Sequence, residues 1–151
     1  MTDVAVAYVD VYVIRQGMSG IEILCLKRGQ GGRCPGSWET VHGHIEPGEQ
    51  PPDAAIRELR EETGLTPWRL YNLSRVETFY VHARDVIALI PVFCAIVQES
   101  GVTLSAEHES FAWLPPAGAA TRFSWPRERR ALSDLLILMN APELEDVLRV
   151  L

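Results

Sequence analysis

GHIEPGEQPPDAAIRELREETGL, residues 43–65, decides how the rest of the chain is read. Its second half places Ala55, Ile56 and Leu59 where a helix gathers an apolar stripe, with Pro52 or Asp53 at its start and Gly64 at its stop. On such a helix Glu58 and Glu62 stack one turn apart, with Glu61 beside them. Like charges at that spacing repel by ~0.2–0.5 kcal/mol per pair on a solvated helix. Two explanations compete. One is a solvated face laced with Glu and Arg, in which Arg57 and Glu61 form an attractive pair. The other is a cation site: magnesium takes hard oxygen ligands, and its arrival relieves the repulsion among the acids. In the second case the helix buries one face and carries the acids on another, with Arg60 and Thr63 facing solvent or neighbours.

Upstream, VAVAYVDVYVIR (4–15) reads as a strand, QGMSG (16–20) as a turn and IEILCLKR (21–28) as the hairpin partner. GQGGRCPGS (29–37) is loop, WETVHG (38–43) a short extended piece, and HIEPGEQPP (44–52) loop again. Downstream, RLYNLSRVETFYV (69–81) and DVIALIPVFCAIVQ (85–98) read as long strands about a tight turn. SGVTLSAEHES (100–110) is loop and FAWL (111–114) a short strand. PPAGAATRF (115–123), RERRALSDLLILMN (127–140) and PELEDVLRVL (142–151) read as helices. This order predicts one α/β domain over residues 1–151, built on a mixed sheet.

The net charge of −6 gives no basic footprint for a polymeric nucleic acid. An acidic protein that handles phosphates needs bound metal to supply positive charge. Cys25, Cys34 and Cys94 fit neither a metal spacing nor a disulfide framework, which suggests a reducing cytoplasm. The first residues lack the basic start of a signal peptide, and VIALIPVFCAIV is too short to cross a bilayer. No membrane partner is expected.

Residues 43–65 match, at nine defined positions, the signature of the Nudix hydrolases: Gly43, Glu49, Arg57, Glu58, Leu59, Glu61, Glu62, Gly64 and Leu65. The chain resembles that family, and the resemblance implies an α/β/α sandwich with a mixed sheet between helices. It implies a metal site of Glu58, Glu61, Glu62 and the backbone carbonyl near Gly43, holding Mg2+ with Mn2+ as a substitute. It implies that Glu49 pairs with Arg57 to lock loop to helix, that Gly64 ends the helix, and that Ala55 and Leu59 face the core. The reaction it implies is attack of water on a nucleoside diphosphate linked to another group. A small-molecule substrate is therefore expected, with catalysis shared among Glu58, Glu61 and Glu107.

LSAEHESFAWL (104–114) resembles a stretch in subgroups acting on dATP, dihydroneopterin triphosphate and diadenosine tetraphosphate. There a loop glutamate approaches the metals. Here that residue is Glu107, with Glu109 as the weaker candidate and His108 either orienting the carboxylate or capping a turn. By the same resemblance Arg28 and His44 are expected to contact phosphates, and Phe111 to stack on a ring. Tyr80, ending a strand beside the expected cleft, is another ring candidate. RFSWPRERRAL (122–132) is similar to a C-terminal pattern of the triphosphate pyrophosphohydrolases. Its Arg127, Arg129 and Arg130 reach a triphosphate, reach a second subunit in a homodimer, or simply face solvent.

The expected activity is metal-dependent cleavage of a nucleoside or pterin triphosphate to the monophosphate and pyrophosphate. Diadenosine tetraphosphate hydrolysis is the alternative. ADP-ribose hydrolysis is less expected, because those enzymes usually carry sequence ahead of the first strand. A non-catalytic nucleotide sensor is the alternative of another class, disfavoured by the full set of acids.

Overall fold

The computed structural model describes residues 1–151. Eight strands form one mixed sheet: β1 (Asp3–Ala5), β2 (Tyr8–Gly17), β3 (Gly20–Arg28), β4 (Trp38–Glu39), β5 (Val41–His44), β6 (Arg69–Val81), β7 (Val86–Ile96) and β8 (His108–Leu114). β7 runs parallel to β1 and β2, and the remaining pairings are antiparallel. β2 and β3 pair only near their shared turn, from Ile14↔Ile23 to Gly17↔Gly20. Beyond it they part, and the short strands fill the split: β5 pairs with β2 through Val9↔Gly43, and β4 pairs with β3 through Leu26↔Glu39. The short strands that fill this wedge carry Glu39 and Gly43.

Helix α1 (Pro51–Thr63) covers one face of the sheet. Ala54, Ala55, Leu59 and Leu65 pack there with Val9, Val11, Val41 and Leu26. α2 (Pro116–Arg122) and α3 (Pro126–Met139) cover the other, where Phe123, Leu132 and Leu135 pack with Tyr12, Ile14 and Ile23. The expected α/β/α sandwich is what forms. No helix is long and apolar enough to cross a membrane.

Several local expectations need correction. Residues 4–15 are not one strand: the chain breaks at Val6–Ala7 between β1 and β2. His44 belongs to β5 and Pro51 already belongs to α1, so the loop between them is shorter than the sequence suggests. Pro51 and Pro52 fill the first helical positions, where a missing N–H costs nothing. Of the two settings expected for Thr63, solvent or neighbours, the structure shows the second: it is buried, its hydroxyl donating to the Leu59 carbonyl and accepting from the Leu65 amide. His108 and Glu109 lie in β8 rather than in a loop.

The last ten residues are not one helix. A 3-10 turn (Pro142–Leu144) and a four-residue helix α4 (Glu145–Leu148) lead into an extended end. That end lies along edge strand β6: Val150 N–H donates to the Leu70 carbonyl at 2.8 Å, and Tyr71 bridges Arg149. An open edge of unpaired amides is a liability, so pairing with the tail outweighs the helical periodicity of PELEDVLRVL.

Candidate active site

Glu58 and Glu62 project from α1 toward the sheet, together with the buried stripe and not on a separate face as the sequence led us to expect. Glu62 is only 2% exposed and Glu58 9%. The small side chains of Ala54 and Ala55 let α1 sit close to β2 and β5, and that closeness draws the acids inward with the apolar stripe. Gly43 completes the approach. A Cβ at residue 43 would overlap the Glu58 carboxyl carbon and both its oxygens, so only glycine leaves room for that carboxylate.

The electrostatics follow from this burial. Burial, then the Glu107 and Glu58 charges, push the Glu62 carboxyl well above the usual carboxylate range, and the His42 backbone amide only partly offsets them. Burial raises Glu58 too, against the pull of Arg57 and with the push of Glu61 and Glu107. Glu62 Oε2 is buried without a hydrogen-bond partner. The structure therefore brings Glu58, Glu62 and Glu107 within mutual influence, although as placed no three acidic, His or Cys side chains converge into a ligand set. An orphaned buried oxygen, a carboxylate seated on a glycine backbone and an all-oxygen donor set fit a hard divalent cation.

Arg57 organises the approach. Its Nε and one terminal nitrogen donate to the two Glu49 oxygens at 2.9 Å, a two-pronged pair, and that terminal nitrogen also donates to the His44 carbonyl at 2.7 Å. Its other terminal nitrogen reaches Glu58 at 2.9 Å and Glu61 at 3.1 Å. The expected Glu49–Arg57 lock is present. Glu61 is drawn to Arg57 with its side chain 57% exposed, on the outer side of the helix from Glu62. Lysine cannot form the fork. In Arg57→Lys, hydrogen exchange is expected to quicken at the amides of Glu46 and Glu49 while those of Val11 and Ala95 in the core keep their protection. Uniform quickening would mean that the fork supports the whole fold and not this loop.

The proposed substrate contacts fare unevenly. Phe111 pairs with Leu26 on the α1 side of the sheet and is 38% exposed, which suits a stacking face. His44 does not join the acids: side chains alternate along a strand, so its ring turns to the face opposite the Gly43 contact and packs on Tyr8, with centroids 4.6 Å apart. Tyr80 lies near the far end of the β6–β7 hairpin and donates to Asp85 at 2.7 Å. Its partner across the ladder is Ile87, whereas Val9 and Gly43 lie near the level of Pro91. Arg28 is buried and engaged, 3.4 Å from Glu107, 3.7 Å from Glu39 and donating to the Arg33 carbonyl.

Two groups of residues escaped sequence reasoning. On the α1 side, Glu39 is 1% exposed, with His108 Nε2 at 3.5 Å and Arg33 at 3.1 Å. Burial works against its charge, but His108, Arg33 and Arg28 prevail and hold the carboxyl below its ordinary value. His108 thus orients toward Glu39, not Glu107. On the opposite side, buried Asp10 binds His42 Nδ1 at 2.6 Å and pairs with Arg127, while Glu128 accepts from the Thr40 amide at 2.5 Å. Arg127 therefore ties α3 to the sheet rather than facing a phosphate or solvent. Arg129 donates to the Ala120 and Phe123 carbonyls, joining α3 to α2. The available signal was a lone charge inside an apolar run, as in YVDVYV and WETV.

Comparison with known proteins places these features in context. The NUDIX domain model matches residues 5–135. The nucleoside triphosphatase NudI of Escherichia fergusonii is 32% identical over 109 residues, covering 67% of this chain and 77% of that protein. Among solved structures, a Caenorhabditis elegans Ap4A hydrolase complex superposes with a TM-score of 0.75 at 24% identity, over 91% of this chain and 99% of that one. The Escherichia coli dihydroneopterin triphosphate pyrophosphohydrolase superposes at 0.68 with 26% identity, over 86% and 94%.

Proposed function

The chain belongs to the Nudix hydrolases and is a pyrophosphohydrolase of that family, and from this premise we propose that it cleaves a nucleoside or pterin triphosphate to the monophosphate and pyrophosphate with a divalent cation. The observation that carries the reading is the inward pair of Glu58, seated against Gly43, and buried Glu62, both within the influence of the Glu107 charge. The similarity to a nucleoside triphosphatase across two thirds of the chain supports the substrate class.

Glu58 and Glu62 would hold the cation, with the backbone at Gly43 beside them. A cation held there would supply charge neutralisation for the phosphate chain and would acidify the attacking water. Glu107 takes the proton from that water as it attacks. Arg57 holds Glu58 and Glu61 in place, so Glu61 supports the site from its rim. Phe111 offers its exposed ring to the base or pterin. With Arg28 committed to Glu39 and Glu107, little fixed positive charge is left for the phosphates, which makes the cation the main counter-charge. Three unpaired cysteines support a reducing cytoplasm as its setting.

Diadenosine tetraphosphate hydrolysis is the second reading, favoured by the stretch from Glu107 to Leu114. A panel of nucleoside triphosphates, dihydroneopterin triphosphate, dinucleoside polyphosphates and ADP-ribose separates the readings by product. Pyrophosphate with a monophosphate is the expected outcome; a nucleotide pair from the dinucleoside substrate alone would transfer the assignment. In Glu107→Gln, turnover is expected to fall ~10²–10⁴-fold with the Mg2+ dependence unchanged. A near-normal rate removes Glu107 from the chemistry.

A further inference from the structure

Glu107 presents a contradiction. Its side chain is 56% exposed, which ordinarily lets a glutamate wander among rotamers, yet a proton acceptor must hold its place to within about an ångström. The surroundings resolve this. Gly29 N–H donates to the Glu107 carbonyl at 3.0 Å, fixing the backbone at the mouth of β8. The next residue, His108, sinks its side chain fully out of solvent, with Nε2 3.5 Å from Glu39. Arg28 spans the two layers, its Nη1 lying 3.7 Å from Glu39 and 3.4 Å from Glu107. The ladder between β3 and β8 shifts register at this point, so Arg28 faces His108 directly.

We propose that the buried Glu39–His108–Arg28 cluster is a positioning device that sets Glu107 over the acids of α1. The proposal rests on the reading of Glu107 as the proton acceptor. None of the three touches the reacting atoms. Glu39 fixes the guanidinium from beneath, the guanidinium fixes the exposed carboxylate above it, and His108 anchors the strand that carries Glu107. Two considerations argue against packing as the sole reason for the cluster. A buried ion network is often no more stabilising than apolar residues of the same volume. His108 Nε2 meets Glu39 only as a 3.5 Å electrostatic contact, and Glu39 Oε2 and His108 Nδ1 remain without hydrogen-bond partners, a costly arrangement for a purely structural core.

The test is a mutant cycle on the full chain with Mg2+: His108→Leu, Glu107→Gln and the double variant, with Glu39→Gln replacing His108→Leu if that protein fails to fold. The substrate is whichever member of the panel above turns over fastest. His108→Leu is expected to lower kcat ~10–100-fold with KM and Mg2+ activation nearly unchanged. The double variant should be no slower than Glu107→Gln alone, because residues acting as one unit are not additive. A readout independent of turnover accompanies it: Mn2+ should broaden the Glu107 amide resonance in the wild type and do so less in His108→Leu, while broadening at Glu58 and Glu62 stays the same. Losses that multiply, a changed KM with normal kcat, or undiminished broadening at Glu107 would overturn the positioning role while leaving Glu107 as the base. A normal rate in Glu107→Gln would overturn both.

Discussion

Glutamine at both positions 58 and 62 is expected to raise the melting temperature of metal-free protein at about pH 8 and to lower turnover roughly 10³-fold or more. The rate follows from losing the carboxylates that hold the counter-charge, a contribution of several kcal/mol at about 1.4 kcal/mol per tenfold. The stability has the sign of a raised acid. Burial first, and then neighbouring carboxylates, lift Glu58 and Glu62 above their ordinary range. The folded protein therefore binds protons more tightly than the unfolded chain. That contribution is complete below the unfolded carboxylate pKa of ~4.3. It is lost as pH rises through the window up to the raised folded values. Above the window the wild type carries two poorly solvated charges that the double variant lacks.

Mg2+ should reverse the order. It should raise the wild-type melting temperature, more strongly as pH rises, and leave Glu58→Gln/Glu62→Gln unmoved. Glu128, pushed up to about 8 chiefly by burial, adds a loss of the same sign. Asp10, held low by His42 and Arg127 despite burial, adds the opposite. Both act equally in the two proteins, so calorimetry on the pair isolates the helix acids. Equal Mg2+ shifts in both proteins would place the cation elsewhere.

What the sequence revealed, and what it hid, divides by range. The Gly64 stop of α1 was legible because a helix end is settled within a few residues, whereas its start lay slightly ahead of Pro52 and the Glu49–Arg57 pair came from the family resemblance. The inward turn of Glu58 and Glu62 was not, because it depends on how closely α1 approaches β5. Periodicity assigns faces to a helix but cannot say how far a sheet reaches around it. His44 was misplaced through a boundary error of one residue: extending the strand by that residue sends its ring to the opposite face. Arg28 and Arg127 looked available for phosphate because their partners lie far away in sequence. Arg28 meets Glu107 across 79 positions and Arg127 meets Asp10 across 117. A basic residue at a strand end reads as a free hand until the fold supplies its acid.

Two glycines of the signature should fail in opposite ways when changed to alanine. Gly64 has φ of 72° and ends α1 in the left-handed region. Alanine there costs ~1–2 kcal/mol of backbone strain, which lowers the melting temperature by about 2–4 °C per kcal/mol in a chain of this size. Its Cβ would stand 3.4 Å from Thr103, and the atoms nearest to it belong to that residue rather than to the acids, so turnover should persist. Gly43 has no positive φ, so its backbone accepts alanine. What the new methyl meets is the Glu58 carboxyl group, the free end of a flexible side chain that can swing away. The β2–β5 pairing survives, and a carboxylate released from burial regains solvent, so Gly43→Ala should melt near the wild-type temperature. Its turnover should nevertheless fall roughly 10²–10³-fold, and the Mg2+-induced rise in melting temperature should shrink, because Glu58 no longer stands where the cation needs it. Wild-type turnover in Gly43→Ala would show that Glu58 works from another position, and the contact that built the site would lose its meaning.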